Sequence, residues 1–198
     1  MQNSLFPRPA NLLPFQGDVL YKEAFLSRED ADNFLQQLQT EIHWKQEPIF
    51  LFGKKIMQPR LTAWLGDKPY TYSGITMQPH AFGPAMMVIK NKVEAFTQSS
   101  FNTALLNLYR NGTDSMGWHR DNEKELGPTP IIASISLGAE REFQLRHYQT
   151  KEHVQKIPLQ HGSLLIMREQ TNTYWEHRIP KTSKPLSARI NITFRQIQ

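Results

Sequence analysis

The run Arg189-Ile190-Asn191-Ile192-Thr193-Phe194-Arg195 alternates charged or polar side chains with apolar ones. Successive side chains on a strand point to opposite faces. Arg189, Asn191, Thr193 and Arg195 therefore share one face, and Ile190, Ile192 and Phe194 the other. A half-buried strand with its polar side in water has the same pattern. The run gains weight from His119-Arg120-Asp121 and, later, His177. On an extended segment His119 and Asp121 point the same way and can grip one ion. A third ligand must come from elsewhere, and His43, His80, His147, His153, His161 and His177 are the remaining imidazoles. His177 follows Asn172-Thr-Tyr-Trp-Glu176 on a candidate strand and is the choice. Two neutral imidazoles and one carboxylate leave about three coordination positions open, the arrangement suited to non-haem Fe(II). Those positions admit a bidentate ligand and then O2. Zinc would bind the same residues, so ligand type alone does not fix the metal.

The two arginines add an anion clamp. Guanidinium forks pair bidentately with carboxylates. Arg189 and Arg195 stand roughly 20 Å apart along a straight strand. They cannot stack on one group, but their long side chains can converge on a short diacid. Asn107 and Tyr109 form a second polar pair on one face of another candidate strand, with Leu106 and Leu108 opposite.

The elements that must hold these residues are mostly strands. The chain has 198 residues with 39% hydrophobic content, enough for one ordinary core and one domain. Residues 1–18 carry Pro7, Pro9 and Pro14 and read as an extended arm, leaving 19–198 as a single domain. Ser27 caps a predicted helix running to about Trp44, with Ala31, Phe34, Leu35, Leu38 and Ile42 in helical period. A second helix is predicted from Pro84, with Met86, Ile89, Val93 and Phe96 as its stripe. Short strands and hairpins fill the aromatic stretch between them. After residue 103 the predicted strands are 103–109, 131–137, 141–148, 154–159, 163–168, 172–179 and 189–197. The fold class is α+β, mainly β: a sandwich or jelly roll with helices packed on one face. Zero Cys excludes a disulfide framework, a thiolate metal site and a thiol nucleophile. No apolar run is long enough to span a bilayer, and the start lacks a signal-peptide pattern. The expected location is intracellular, cytoplasmic in a bacterium and nuclear in a eukaryote. A net charge of +5 is compatible with nucleic acid and is weak support for it.

The motifs together resemble the AlkB family of Fe(II)- and 2-oxoglutarate-dependent dioxygenases, in particular the duplex-DNA repair homologues of animals. The carriers are Asn107-Leu-Tyr109-Arg-Asn-Gly112, His119-Arg-Asp121-Asn-Glu123, His161-Gly-Ser-Leu-Leu-Ile, Thr171-Asn-Thr-Tyr-Trp-Glu-His177 and Arg189-x5-Arg195. The resemblance implies a double-stranded β-helix over residues 103–198, preceded by helices and nucleotide-recognition hairpins over 19–102. It implies that His119, Asp121 and His177 hold Fe(II) and that Arg189 pairs with the distal carboxylate of 2-oxoglutarate. Asn107, Tyr109, Thr193 and Arg195, with Asn191, would hold the remainder. The implied reaction hydroxylates an N-methyl group on a base, which leaves as formaldehyde while 2-oxoglutarate becomes succinate and CO2.

The resemblance also implies how substrate is read. Methyl groups on the Watson–Crick edge are hidden in a duplex, so the base must be flipped or single-stranded. Tyr70 and Tyr72, followed by Ser73-Gly74, match the family's lesion-stacking segment. Glu123 matches a position that contacts the lesion base, where an anion suits cationic 1-methyladenine and 3-methylcytosine, and Asn122 stands beside it. Leu51-Phe52-Gly53 resembles a finger that fills the gap left by a flipped base. Arg110, Lys124 and the basic segment Arg178-Ile-Pro-Lys-Thr-Ser-Lys184 are candidate phosphate contacts. Gln2-Asn-Ser-Leu5-Phe6 resembles a peptide that docks on the bacterial sliding clamp. The expected activity is demethylation of alkylated DNA by a monomer. The alternatives are the same chemistry on RNA or on a protein side chain, and a nucleic-acid binding module without activity.

Overall fold

The computed structural model describes residues 10–51, 54–67, 70–72 and 75–198, and the side chains at 50, 51, 54, 70–72 and 75–77 lie outside that description. In chain order the elements are β1 (Asp18–Lys22), α1 (Arg28–Glu41), β2 (Pro48–Leu51), β3 (Lys54–Met57), β4 (Leu61–Gly66), β5 (Tyr70–Tyr72) and β6 (Ile75–Met77). Then come α2 (Pro84–Thr97), β7 (Thr103–Tyr109), β8 (Met116–His119), β9 (Ile132–Gly138), β10 (Arg141–His147), β11 (Gln155–Leu159) and β12 (Ser163–Arg168). The short helical turn α3 (Thr171–Tyr174), β13 (Trp175–Ile179) and β14 (Arg189–Arg195) complete the chain. A six-stranded sheet runs β1-β12-β9-β14-β7-β4 and a four-stranded sheet runs β11-β10-β13-β8. This is a jelly roll with helices on one face.

β14 explains the layering. Ile190, Ile192 and Phe194 are fully buried with Leu38 of α1 and Ile89 of α2, so this side of the large sheet carries the helices. The other side packs on the small sheet through Trp64, Leu105, Leu145, Leu165 and Trp175. Both faces of β14 are therefore covered. Its polar face is turned into the space between the sheets rather than into water, where polar groups must find partners or a ligand.

The helices start where local signals placed them, but α1 ends at Glu41, short of the predicted Trp44, and Phe96 of the predicted α2 stripe is exposed. Ser27 accepts a hydrogen bond from the Asp30 backbone N–H and caps α1. Pro84 opens α2 after Gly83. Two predicted strands change. Residues 172–174 of the predicted 172–179 strand belong to the helical turn Thr171–Tyr174, because the Thr171 hydroxyl bonds the Arg168 carbonyl and turns the chain. The last strand stops at Arg195, since the Ile197 N–H leaves the ladder for the Asn102 side chain. The large sheet also takes β1 and β4 from before residue 103. Residues 10–17 of the predicted arm are seated on the barrel. Leu13 is buried, Asn11 Oδ1 accepts from the Leu13 and Val19 N–H groups, and Trp175 Nε1 donates to the Phe15 carbonyl. Gly138, where β9 ends beside the start of β14, has φ +93°, and a Cβ there would overlap the Ala188 carbonyl oxygen. That close approach sets Arg189 against the end of β9.

A candidate metal and cosubstrate centre

β8 and β13 place the two imidazoles side by side. His177 pairs with His119 across the two strands, and the rings lie 4.2 Å apart. The register shifts just after His177, a local irregularity of the kind that re-aims side chains beside functional sites. Asp121 follows β8, and its oxygens lie 3.9 Å from His119 Nε2 and 3.9 Å from His177 Nε2. One ligand atom from each residue lies within 4.8 Å of the others. His119 Nδ1 donates to the Gly117 carbonyl at 2.9 Å, which leaves Nε2 with its lone pair toward Asp121.

Electrostatics set these groups in the protonation states a cation needs. Burial pushes His177 down to about 3, aided by neighbouring His119, and burial also lowers His119. Burial alone would raise the Asp121 carboxyl, but Arg195 and the two imidazoles hold it well below the usual range. Arg195 Nη2 donates to Asp121 Oδ1 at 2.9 Å, so this arginine braces the carboxylate. Neutral imidazoles beside an ionised carboxylate form a metal-ready donor set.

The polar face of β14 continues from this point. β14 lies between β7 and β9, with Arg189 opposite Tyr109, Asn191 opposite Asn107 and Ser136, and Thr193 opposite Leu105 and Ser134. Asn191 Nδ2 donates to Ser134 Oγ, and Asn191 Oδ1 accepts from Thr193 Oγ1, so these two residues organise each other. Arg189 is 1% exposed. Its Nη2 donates to Ser136 Oγ at 2.9 Å, while among the described residues Nε and Nη1 have no hydrogen-bond partner. Burial pushes Arg189 down to about 10. Its guanidinium and that of Arg141 lie 5.3 and 5.5 Å from the centre of the Tyr109 ring. A buried cation with two unsatisfied donors fits a carboxylate arriving from outside the chain. His119, Asp121, His177, Asn107, Tyr109, Arg189, Asn191, Thr193 and Arg195 all line one cavity.

Several members of this centre carried no sequence signal. Arg60, just before β4, is 4% exposed and donates from Nε to Asn107 Oδ1 at 2.7 Å. It fixes the amide so that Nδ2 is left for other partners. Arg60→Met is expected to raise the KM for 2-oxoglutarate about tenfold by freeing Asn107, with less effect on metal affinity. Steady-state titration against metal binding checks this. Ser134 and Ser136 were hidden because strand alternation predicts their side but not their partners.

The substrate-side residues are less gathered. Glu123 is half-buried and Asn122 exposed, both just past the metal ligands. Leu51, Tyr70 and Tyr72 sit on hairpin strands, with Leu51 opposite Lys54 and Tyr72 opposite Ile75. Phe52, Gly53, Ser73, Gly74 and the segment from Gln2 to Phe6 lie outside the described residues. Arg110 is held by Asp114 through two nitrogens and is not an open phosphate contact. No helix among the described residues is long and apolar enough to cross a membrane.

The 2OG-Fe(II) oxygenase superfamily profile matches residues 18–195. The chain belongs to this superfamily. Within it, the chain is similar to the AlkB homologues. Over 183 residues it is 45% identical to the alpha-ketoglutarate-dependent dioxygenase alkB homolog 3 of Bos taurus, covering 87% of this chain and 64% of the relative. Over 192 residues it is 39% identical to the DNA oxidative demethylase ALKBH2 of Homo sapiens, covering 91% of this chain and 73% of that protein. The chain thus spans less than two thirds of the length of the alkB homolog 3 proteins. The fold matches the solved structure of OsALKBH1 with TM-score 0.68 at 18% identity, over 93% of this chain and 99% of that one. Fe(II) and 2-oxoglutarate are the groups that name the superfamily, and the donor set and the unsatisfied Arg189 nitrogens fit both.

Proposed function

We propose that this chain oxidatively removes methyl groups from alkylated bases in DNA, 1-methyladenine and 3-methylcytosine first. The observation that carries the reading is the juxtaposition of a His-Asp-His cluster with a buried arginine whose Nε and Nη1 lack partners among the described residues. His119, Asp121 and His177 hold Fe(II), Arg189 takes the distal carboxylate of 2-oxoglutarate, and Asn107 and Tyr109 line its path. When bound, the iron would supply the activation of O2 and the oxidising power toward the methyl C–H bond that side chains lack. The protein's share is to bind, orient and exclude water. Arg195 keeps Asp121 ionised and aimed, Gly117 fixes the His119 tautomer, and the apolar wall of Leu105, Phe143, Leu165 and Met167 keeps the centre dry. Tyr70, Tyr72 and Glu123 receive the flipped cationic base, and residues 19–198 act as one catalytic domain. The similarity to a relative named a DNA oxidative demethylase supports the choice of substrate.

The test is mass spectrometry of a 1-methyladenine oligonucleotide incubated with the protein, Fe(II), 2-oxoglutarate and O2. Loss of one methyl mass, abolished in His119→Ala, is expected. Succinate production with DNA unchanged would keep the oxygenase and move the substrate to RNA or another adduct.

A further inference from the structure

The outer side of the four-stranded sheet, behind the metal ligands, carries a second organised group of side chains. β10 and β13 pair with Gln144 opposite Arg178 and Arg146 opposite Glu176, and alternation sets these four on the face opposite Leu145 and His177, although Arg178 also borders the metal cavity. The Arg178 guanidinium lies 4.5 Å from the Trp118 ring centre, and that of Arg146, from β10, lies 4.0 Å from the same ring. Arg178 Nε donates to Gln144 Oε1 at 2.7 Å, and Gln144 Nε2 in turn donates to Glu142. Half-buried, stacked and hydrogen-bonded, Arg178 is held in place before any ligand arrives.

The charges of this group do not balance. Arg146 and Lys151 both contact the same Glu176 oxygen, at 2.6 and 2.9 Å. Among the described residues Arg178 has a neutral glutamine and an indole for company and no ion pair. Three cations, Arg146, Lys151 and Arg178, therefore face two carboxylates, Glu176 and Glu142. Two guanidinium groups on one ring repel each other, and their half-buried setting screens that repulsion less than open water does. The pattern repeats next door, where Arg120 lies 3.7 Å and Lys151 4.3 Å from the Tyr148 ring centre. Cations interleaved with aromatic rings suit a ligand whose anions are evenly spaced and whose other groups are flat. Phosphodiesters accept forked arginine contacts, and bases stack on rings.

We propose that Arg178, held on Trp118 by Gln144, binds a backbone phosphate of the nucleic-acid strand whose modified base enters the cavity. Arg146 and the Tyr148 group extend the track along the sheet. This rests on the polynucleotide reading above. A consequence is that a free modified nucleoside misses this contact, so the loss falls on KM.

The test is fluorescence anisotropy with a single-stranded 1-methyladenine oligonucleotide over a salt series, read beside demethylation of the same strand. Arg178→Gln should weaken binding about tenfold and make the log Kd against log salt slope shallower by about 0.7. Arg28→Gln, whose side chain is 91% exposed on α1, should change neither. Replacing single phosphates by neutral methylphosphonates in the oligonucleotide needs no variant that must fold. One position should weaken wild type and leave Arg178→Gln indifferent. Equal Kd and slope in Arg178→Gln and wild type, or a wild type that does not bind the strand, would overturn the contact. Binding with the Arg178 effect intact but no demethylation would support the contact and overturn the catalytic reading instead.

Discussion

Asp121→Asn is expected to lose turnover by at least about 10³-fold, because a metal ligand supplies several kcal/mol of the stabilisation that chemistry needs. The asparagine is chosen over alanine for a physical reason. Asp121 is 3% exposed and accepts from Arg195. Alanine would leave the Arg195 guanidinium without its buried anion, a change that costs about 3–5 kcal/mol and confuses misfolding with lost chemistry. Asparagine keeps an oxygen for Arg195 Nη2 while removing the charge that a cation requires. Metal content after anaerobic loading should fall to background, and the thermal transition should show that the fold persists. An Asp121→Asn protein that binds Fe(II) as wild type does would remove Asp121 from the ligand set.

Arg189→Met is expected to raise the KM for 2-oxoglutarate by about 100-fold or more, through loss of a forked, buried charge contact. Fe(II) affinity should change far less, because Arg195 and not Arg189 touches the carboxylate ligand. The same variant carries a stability signature. Without cosubstrate, wild type holds a buried guanidinium with two unsatisfied nitrogens, and an apolar side chain of similar length relieves that cost. The Arg189→Met protein should therefore be at least as stable as wild type when free, and 2-oxoglutarate should raise the melting temperature of wild type only. Arg189→Lys should not restore affinity, since a single ammonium cannot make both the Ser136 contact and the forked contact.

How much of this was legible before the fold was seen differs by element. The alternation in residues 189–195 predicted β14 and its two faces, because one face met the helices and the other met polar neighbours. It did not predict that the polar face is enclosed, since alternation alone cannot distinguish water from a second sheet. His-x-Asp needed the cross-strand pairing of β8 and β13 to become a site, and that pairing joins residues far apart in the chain. Spacing made the two arginines a symmetrical pair, and only the resemblance gave Arg189 the distal carboxylate and Arg195 part of the remainder. That Arg195 braces the metal-ligand candidate Asp121 was hidden until the fold brought them together. β1 escaped notice because Asp18 and Lys22 bracket a short run whose place is set by pairing with β12 and by the Asp18–Arg168 ion pair. Arg60 had no motif around it, and only the fold brings it to Asn107.

The central claim is that one cavity holds Fe(II) on His119, Asp121 and His177 and 2-oxoglutarate on Arg189. Anaerobic absorption titration of the full chain with both tests it most directly. A visible charge-transfer band should appear only when both are present, saturate at one equivalent of each, and be lost in Asp121→Asn and in Arg189→Met at the same cosubstrate concentration. A band that survives both substitutions, or no band although Fe(II) and 2-oxoglutarate each bind, would contradict the account.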